Sequence, residues 1–362
     1  MKSVDRNFSL DLLRMLIMFM IVLGHSLVHG GVLDNADVFS ATYFVGFSLS
    51  AFLNVHVNCF VLLSGYLGYQ KQFTFRKVMK IWQQVFFWSV ALFFFVSLIQ
   101  GNGIQLKEMA KSFLPITQQR YWFMTTYLLM YLLTPLLNSA ISAMNRWQHK
   151  QVLILYSFAF IVLQNIVFWR EFTGVNSRSP LFFCFLYMVG AYFHKYPVDR
   201  KIPWLLIYIA SCGISATYRF AVTAITLTRF GEPMGETLMG GYCSVLTVIG
   251  AIALFMTFAT MKIRCNEVVT KTFAFISPLT LGVYLIHDNA SLRAPLWSAL
   301  DLVRFIDSGY LVLLLLLDSL AIFAVCIILE GLRSVLFEVC RLNALMNCIG
   351  EKLDHMMNRL SD

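Results

Sequence analysis

Charge is what this sequence has least of. Only 13% of its 362 residues are Asp, Glu, Lys or Arg, against 59% hydrophobic residues, a balance that excludes an ordinary water-soluble domain. Proline is scarce, at eight residues, and no Pro/Gly-rich linker, low-complexity tract or internal repeat divides the chain, which leaves one domain. A C-x-x-C pair and metal-ligand spacing are both missing. The eight cysteines (Cys59, Cys184, Cys212, Cys243, Cys265, Cys326, Cys340, Cys348) therefore read as free thiols beside or within apolar runs. There is also no G-x-S-x-G elbow, so no serine announces itself as a nucleophile.

Apolar runs are abundant instead. Stretches near 8–30, 41–68, 77–100, 121–144, 150–170, 180–195, 202–222, 237–261, 272–290 and 309–331 are each about long enough to cross a bilayer. The expectation is an all-α, polytopic transmembrane bundle of about ten spans. The net charge of +9 does not point to nucleic acid, because Lys and Arg fall between apolar runs rather than in stripes interleaved with aromatics. With the N-terminus inside, 19 of the 28 basic residues lie at cytoplasmic ends and nine at the other face. That bias predicts cytoplasmic N- and C-termini. Lys2 and Arg6 before an apolar run resemble a signal peptide, but Asp11 and Arg14 inside the run and the lack of a small-x-small site read as a retained first span. An integral-membrane domain over 1–335 and an amphipathic cytoplasmic tail over 336–362, lying along the inner membrane surface, complete the expected organisation.

Two hydrophilic groups interrupt the first run. Arg14 and His25 are eleven residues apart, roughly three helical turns, so both face one side of a helix about 16 Å apart along its axis. Asp11 stands three residues before Arg14 and can pair with it, lowering the cost of a buried charge. The alternative is a snorkelling Arg14 and a His25 that bonds a neighbouring helix.

The company these residues keep resembles the acyltransferase-3 family, bacterial membrane enzymes that modify cell-surface glycans. "LDLLRMLIMFMIVLGH" is similar to the family's first helix, "VNCFVLLSGYL" to its segment ending in Ser-Gly-aromatic, "YWFMTTYLLMYLLTPLLN" to its Trp-Phe segment, and "SPLTLGVYLIHDN" to its late Tyr-Leu-x-His segment. The resemblance implies transfer of an acyl group, usually acetyl from acetyl-CoA, to a hydroxyl of a saccharide or lipid-linked glycan in the bacterial inner membrane. Arg14 and His25 match the family's first motif, Ser64 and Gly65 its second, Trp122 its third and His287 its fourth. Catalytic roles are expected for His25 and His287, donor binding for Arg14 and Ser64, and acceptor contacts at Arg120, Tyr121, Trp122 and Tyr284. Arg120 and Tyr121 stand where many relatives place a histidine, so no acid–base role is expected there.

The chemistry of the residues agrees. Acyl transfer from a thioester needs a base for the attacking hydroxyl, which neutral imidazole suits, and a guanidinium is a good bidentate partner for CoA phosphates. His287, followed by Asp288 and Asn289, is expected to line an acceptor entrance, to orient His25, or only to cap a helix. Ser64 beside Gly65 reads as a packing contact before a nucleophile. For His56, between Asn54 and Asn58, interhelical hydrogen bonding is expected. His29 and Asp34 in "HGGVLD" have the His-x4-Asp spacing of glycerolipid acyltransferases, a chance match in an outer loop. No metal and no nucleic acid are expected, membrane lipids are the surroundings, and oligomeric state is open. A membrane-bound O-acyltransferase of the unrelated His-containing class is a second reading, which the Arg14–His25 pair disfavours. A glycan or lipid transporter or flippase is a third, for which repeated halves and broken helices are lacking.

Overall fold

The computed structural model describes residues 7–101, 103–163, 176–198, 201–234, 241–263 and 265–359. Among them there is helix and no strand. In chain order the helices are α1 (Phe8–His29), α2 (Val32–Asn35), α3 (Ala41–Leu53), α4 (His56–Gly68), α5 (Phe75–Gln100), α6 (Leu106–Phe113), α7 (Trp122–Leu132), α8 (Thr134–Ala143) and α9 (Arg146–Ser157). There follow α10 (Pro180–Lys195), α11 (Trp204–Phe230), α12 (Val245–Thr260), α13 (Glu267–Ile276), α14 (Thr280–His287), α15 (Arg293–Leu300), α16 (Leu311–Val339) and α17 (Leu342–Arg359).

Among the described residues, six helical segments are long and apolar enough to cross a membrane: Phe8–Asn35, Ala41–Gly68, Phe75–Gln100, Trp204–Phe230, Glu267–His287 and Leu311–Val339. These match six of the ten expected runs. The run at 121–144 is a pair of helices, α7 and α8, bent by 51°, with Pro135 in the first turn of α8, where it cannot continue a straight helix. The runs at 180–195 and 237–261 yield the shorter helices α10 and α12, each 16 residues. The run at 150–170 extends past residue 163 into residues outside those described. A multi-pass membrane protein is the architecture these lengths and compositions support.

Local sequence sets many helix starts. Asn7 accepts from the Ser9 amide to cap α1, Ser40 and Ser179 cap α3 and α10 in the same way, and Asn145 with Gln148 closes a capping box at α9. The helices converge on a shared core. Where α4 crosses α10 the backbones nearly touch: a Cβ on Gly65 would overlap the Tyr187 carbonyl, and one on Gly190 the Leu62 carbonyl. Only glycine permits that approach. On the other side, Glu330 of α16 is buried and accepts from Gln84 Nε2 at 2.9 Å and Trp88 Nε1 at 2.7 Å of α5, and from Arg333 one turn on. Gly282 of α14 packs against it.

The tail beyond residue 336 does not stand apart. α16 runs unbroken to Val339, and α17 then lies across the start of α5, where Arg76 pairs with Glu351 and the Phe75 amide donates to Asp354 Oδ1 at 2.7 Å. Gly350 lies against the backbone of Arg76.

Candidate active site

The α1, α4, α7 and α14 helices enclose a cavity of about 360 Å³. One end is basic, with Arg14, Lys71 and Lys77 in its wall; at the other stand His25, His56, Trp122 and Tyr242. Apolar side chains, among them Met18, Ile21, Phe60 and Phe123, line the length between. The eleven-residue spacing on α1 therefore brings Arg14 and His25 into the same cavity from different depths.

Arg14 is fixed from two sides. Its Nη1 donates to Asp11 Oδ1 at 3.2 Å and to Ser277 Oγ at 2.9 Å, while the Ser277 hydroxyl donates to the same Asp11 oxygen at 2.8 Å. The guanidinium is held at the wall with 27% of its side chain still exposed. Lys71 and Lys77 belong to the basic loop "YQKQFTFRKVMK". Asn138 holds the Lys71 carbonyl at 3.3 Å while its own Oδ1 accepts from the Tyr187 hydroxyl, and the Lys77 ammonium sits 4.2 Å above the Tyr131 ring. Both lysines were legible as topology but not as site residues, because their convergence on Arg14 depends on how α5 docks.

At the far end two histidines meet. His25 Nδ1 lies 3.0 Å from His287 Nε2, and His287 Nδ1 lies 2.5 Å from the Val283 carbonyl oxygen. A carbonyl only accepts, so His287 carries its proton on Nδ1. Neutral His287 then offers a lone pair on Nε2, and His25 must donate from Nδ1. His25 Nε2 is left as the unprotonated nitrogen, with no hydrogen bond within the described residues, on a ring that lines the cavity. Of the roles expected for His287, orienting His25 and closing the end of α14 through the Val283 carbonyl both fit its position; it is fully buried and does not line the cavity.

The remaining candidates divide. Trp122 and Tyr284 line the cavity, Trp122 stacked on Tyr242 with ring centres 5.8 Å apart and under the Arg178 guanidinium. Ser64 also lines it, but its hydroxyl donates back to the Phe60 carbonyl at 2.9 Å and lies 3.4 Å from the Tyr127 hydroxyl, the bonding of a helix-packing serine. Arg120 and Tyr121 lie outside the lining. Arg120 binds Glu108 at 3.1 Å and Ser291 at 2.8 Å, and the Tyr121 hydroxyl donates to the Leu285 carbonyl at 2.9 Å and accepts from Asn289. The Lys111 ammonium, and after it Arg120, hold the Glu108 carboxyl below its usual range. Both residues thus act as ties between α7 and the segment after α14.

His56 departs from the expected interhelical bond. The long segment breaks at Asn54–Val55, and His56 Nδ1 meets the Leu53 carbonyl at 2.7 Å while its ring faces Tyr242 edge-on. Asn58 instead reaches the turn before α12, donating to the Tyr242 carbonyl at 2.9 Å. His29 sits one turn beyond His25, ring centres 4.9 Å apart, and lies 3.7 Å from Asp288.

The family model described as an acyltransferase domain, acyltransferase-3, matches residues 7–331. No curated protein and no solved structure matches the chain.

Proposed function

We propose, from the premise that this chain belongs to the acyltransferase-3 family, that it moves a short acyl group, acetyl by default, from cytoplasmic acyl-CoA to a saccharide hydroxyl. The observation that carries the reading is a single cavity with Arg14, Lys71 and Lys77 at one end and His25 at the other. A membrane acyltransferase follows from the family alone; the donor, the acceptor and the residue roles are the proposal.

CoA has two chemically distinct ends. Its phosphates suit a guanidinium with a fixed orientation and two flexible ammonium groups, and its thioester sits at the tip of a long, slender arm. The basic end of the cavity takes the phosphates, and the apolar length between guides the arm. The thioester then reaches His25, roughly 16 Å further along α1. His25 Nε2 accepts the proton of the acceptor hydroxyl as its oxygen bonds to the thioester carbonyl carbon. The C–S bond breaks as the tetrahedral intermediate collapses, and the imidazolium returns the proton to the departing thiolate. One ester and one free thiol are formed, with no net proton released. His287 holds the His25 tautomer that this sequence needs, and Trp122 offers an aromatic face to a sugar ring.

The Lys/Arg bias supports a basic end on the cytoplasmic side, where acyl-CoA is made, and the family resemblance supports a bacterial inner membrane. A transporter or flippase would have no use for CoA. The test is thiol release from acetyl-CoA by detergent-purified protein, wild type beside His25→Ala. Release that vanishes in the variant supports the reading; equal release in both discards His25 as base. Absence of release and of CoA binding in the wild type favours the transporter instead.

A further inference from the structure

The reaction creates a positive charge on His25, and its hydrogen-bond partner cannot balance that charge. His25 Nδ1 points to neutral His287 Nε2, which accepts a proton bond but carries no charge. The only carboxylate within 4 Å of His25 among the described residues is Asp288, whose Oδ1 lies 3.7 Å from His25 Nδ1 and 3.7 Å from His29 Nε2. Its side chain is 4% exposed. Ionised groups are seldom kept at such a place without compensation, and here the compensation is Arg293: its Nε lies 2.9 Å from the same Oδ1, and its Nη2 donates to the Asp288 carbonyl at 3.2 Å.

We infer that Asp288 is a positioning residue for the transfer reaction: it supplies the negative charge that stabilises the His25 imidazolium while the proton is in transit, and Arg293 keeps that carboxylate ionised. The inference rests on His25 acting as the base. The other titratable groups facing this cluster are the imidazoles of His29, His56 and His287 and the phenols of Tyr121, Tyr242 and Tyr284, with Asp34 acting on His29, Arg120 on Tyr121 and Arg178 on Tyr242. Asp288 and Arg293 are the charged pair that lies against His25. A separation of 3.7 Å is too long for a hydrogen bond but short for a Coulombic interaction with a carboxylate that is itself buried. Arg293, by contrast, is 35% exposed, so solvent weakens its counter-effect and leaves the carboxylate partly free to act on His25. Fixed charge aimed at where charge develops is the arrangement that lowers a barrier without affecting substrate binding.

That distinction gives the test. Acetyl-CoA thiol release, with water as acceptor, is measured on purified full-length wild type, His25→Ala, Asp288→Asn, Asp288→Glu and Arg293→Gln. The isosteric Asp288→Asn is expected to lower kcat by roughly 10- to 100-fold with KM for acetyl-CoA unchanged. Asp288→Glu, which keeps the charge, recovers part of that loss, and Arg293→Gln, which removes the compensation that keeps Asp288 ionised, lowers kcat with KM unchanged. Asp288→Asn at wild-type kcat, an equal loss in Asp288→Glu, or a loss confined to KM overturns the inference. Should Asp288→Asn fail to fold, Arg293→Gln decides alone, a kcat equal to wild type being the adverse result. His25→Ala separates the two levels: if it retains thiol release, the base itself was misassigned, whereas an inactive His25→Ala beside a fully active Asp288→Asn removes only the role given to Asp288.

Discussion

Arg14 and Ser64 stand in the same cavity with opposite expectations attached. Arg14 presents a planar fork held by Asp11 and Ser277, and Arg14→Lys replaces that fork with a point charge. Its expected effect is a rise of roughly tenfold in KM for acetyl-CoA, worth about 1.4 kcal/mol, with kcat little changed; a variant with normal CoA affinity would count against the phosphate role. Ser64 already spends its hydroxyl on the Phe60 carbonyl. Ser64→Ala should keep activity within about threefold, and intact-mass spectrometry after acetyl-CoA treatment should show no acetyl adduct that depends on Ser64. At this scale the sequence was legible for pairs within one helix, since residues eleven apart must share a face. It was silent on His287 meeting His25, which are 262 positions apart and joined only by packing. For the same reason Arg120 and Tyr121, adjacent to a cavity residue in sequence, point away from the cavity into ties with Ser291 and Leu285.

Among the elements, α4, α5 and α16 carry the largest energetic commitments. Gly65 and Gly190 let α4 and α10 approach until a methyl group on either would strike backbone. Gly65→Ala should therefore lower stability by about 1–3 kcal/mol, read as an earlier thermal transition in detergent, and it should move the cavity wall that α4 provides. Glu330 ties α5 to α16 through Trp88 and Gln84 and neutralises Arg333. Removing only one member of such a pair leaves a buried charge uncompensated, so Glu330→Ala is expected to cost about 3–5 kcal/mol; a transition indistinguishable from wild type would show that the network contributes little. The Ser-Gly pair was readable from sequence as a packing contact because small residues have few other uses in a membrane helix. Glu330 passed unnoticed near the end of an apolar run, where a carboxylate also reads as an interfacial residue.

For the whole molecule, the open question is which way round the bundle sits. Cys340 and Cys348 are exposed at the α16–α17 end, on the same side as Arg76 and Lys77 through the docking of α17 on α5. A membrane-impermeant maleimide should label them in inside-out but not right-side-out vesicles if that end is cytoplasmic, as the Lys/Arg bias predicts. The reverse pattern would put the phosphate end of the cavity on the wrong face for acyl-CoA. The expected ten runs were found by length and apolarity, and those quantities set the six long helical segments directly. They could not tell that residues 121–144 bend by 51°.

What the sequence by itself determined is the membrane class, the all-helical architecture, the placing of Arg14 and His25 on one helix face and the family, because each follows from composition, period or local motif. Tertiary structure alone decided that Lys71 and Lys77 join Arg14 at one end of a cavity, that His287 fixes the proton on His25, and that Asp288 stands beside both His25 and His29. These are contacts between distant segments. No helical period encodes them; they exist only once α1, α5 and α14 have been packed against one another.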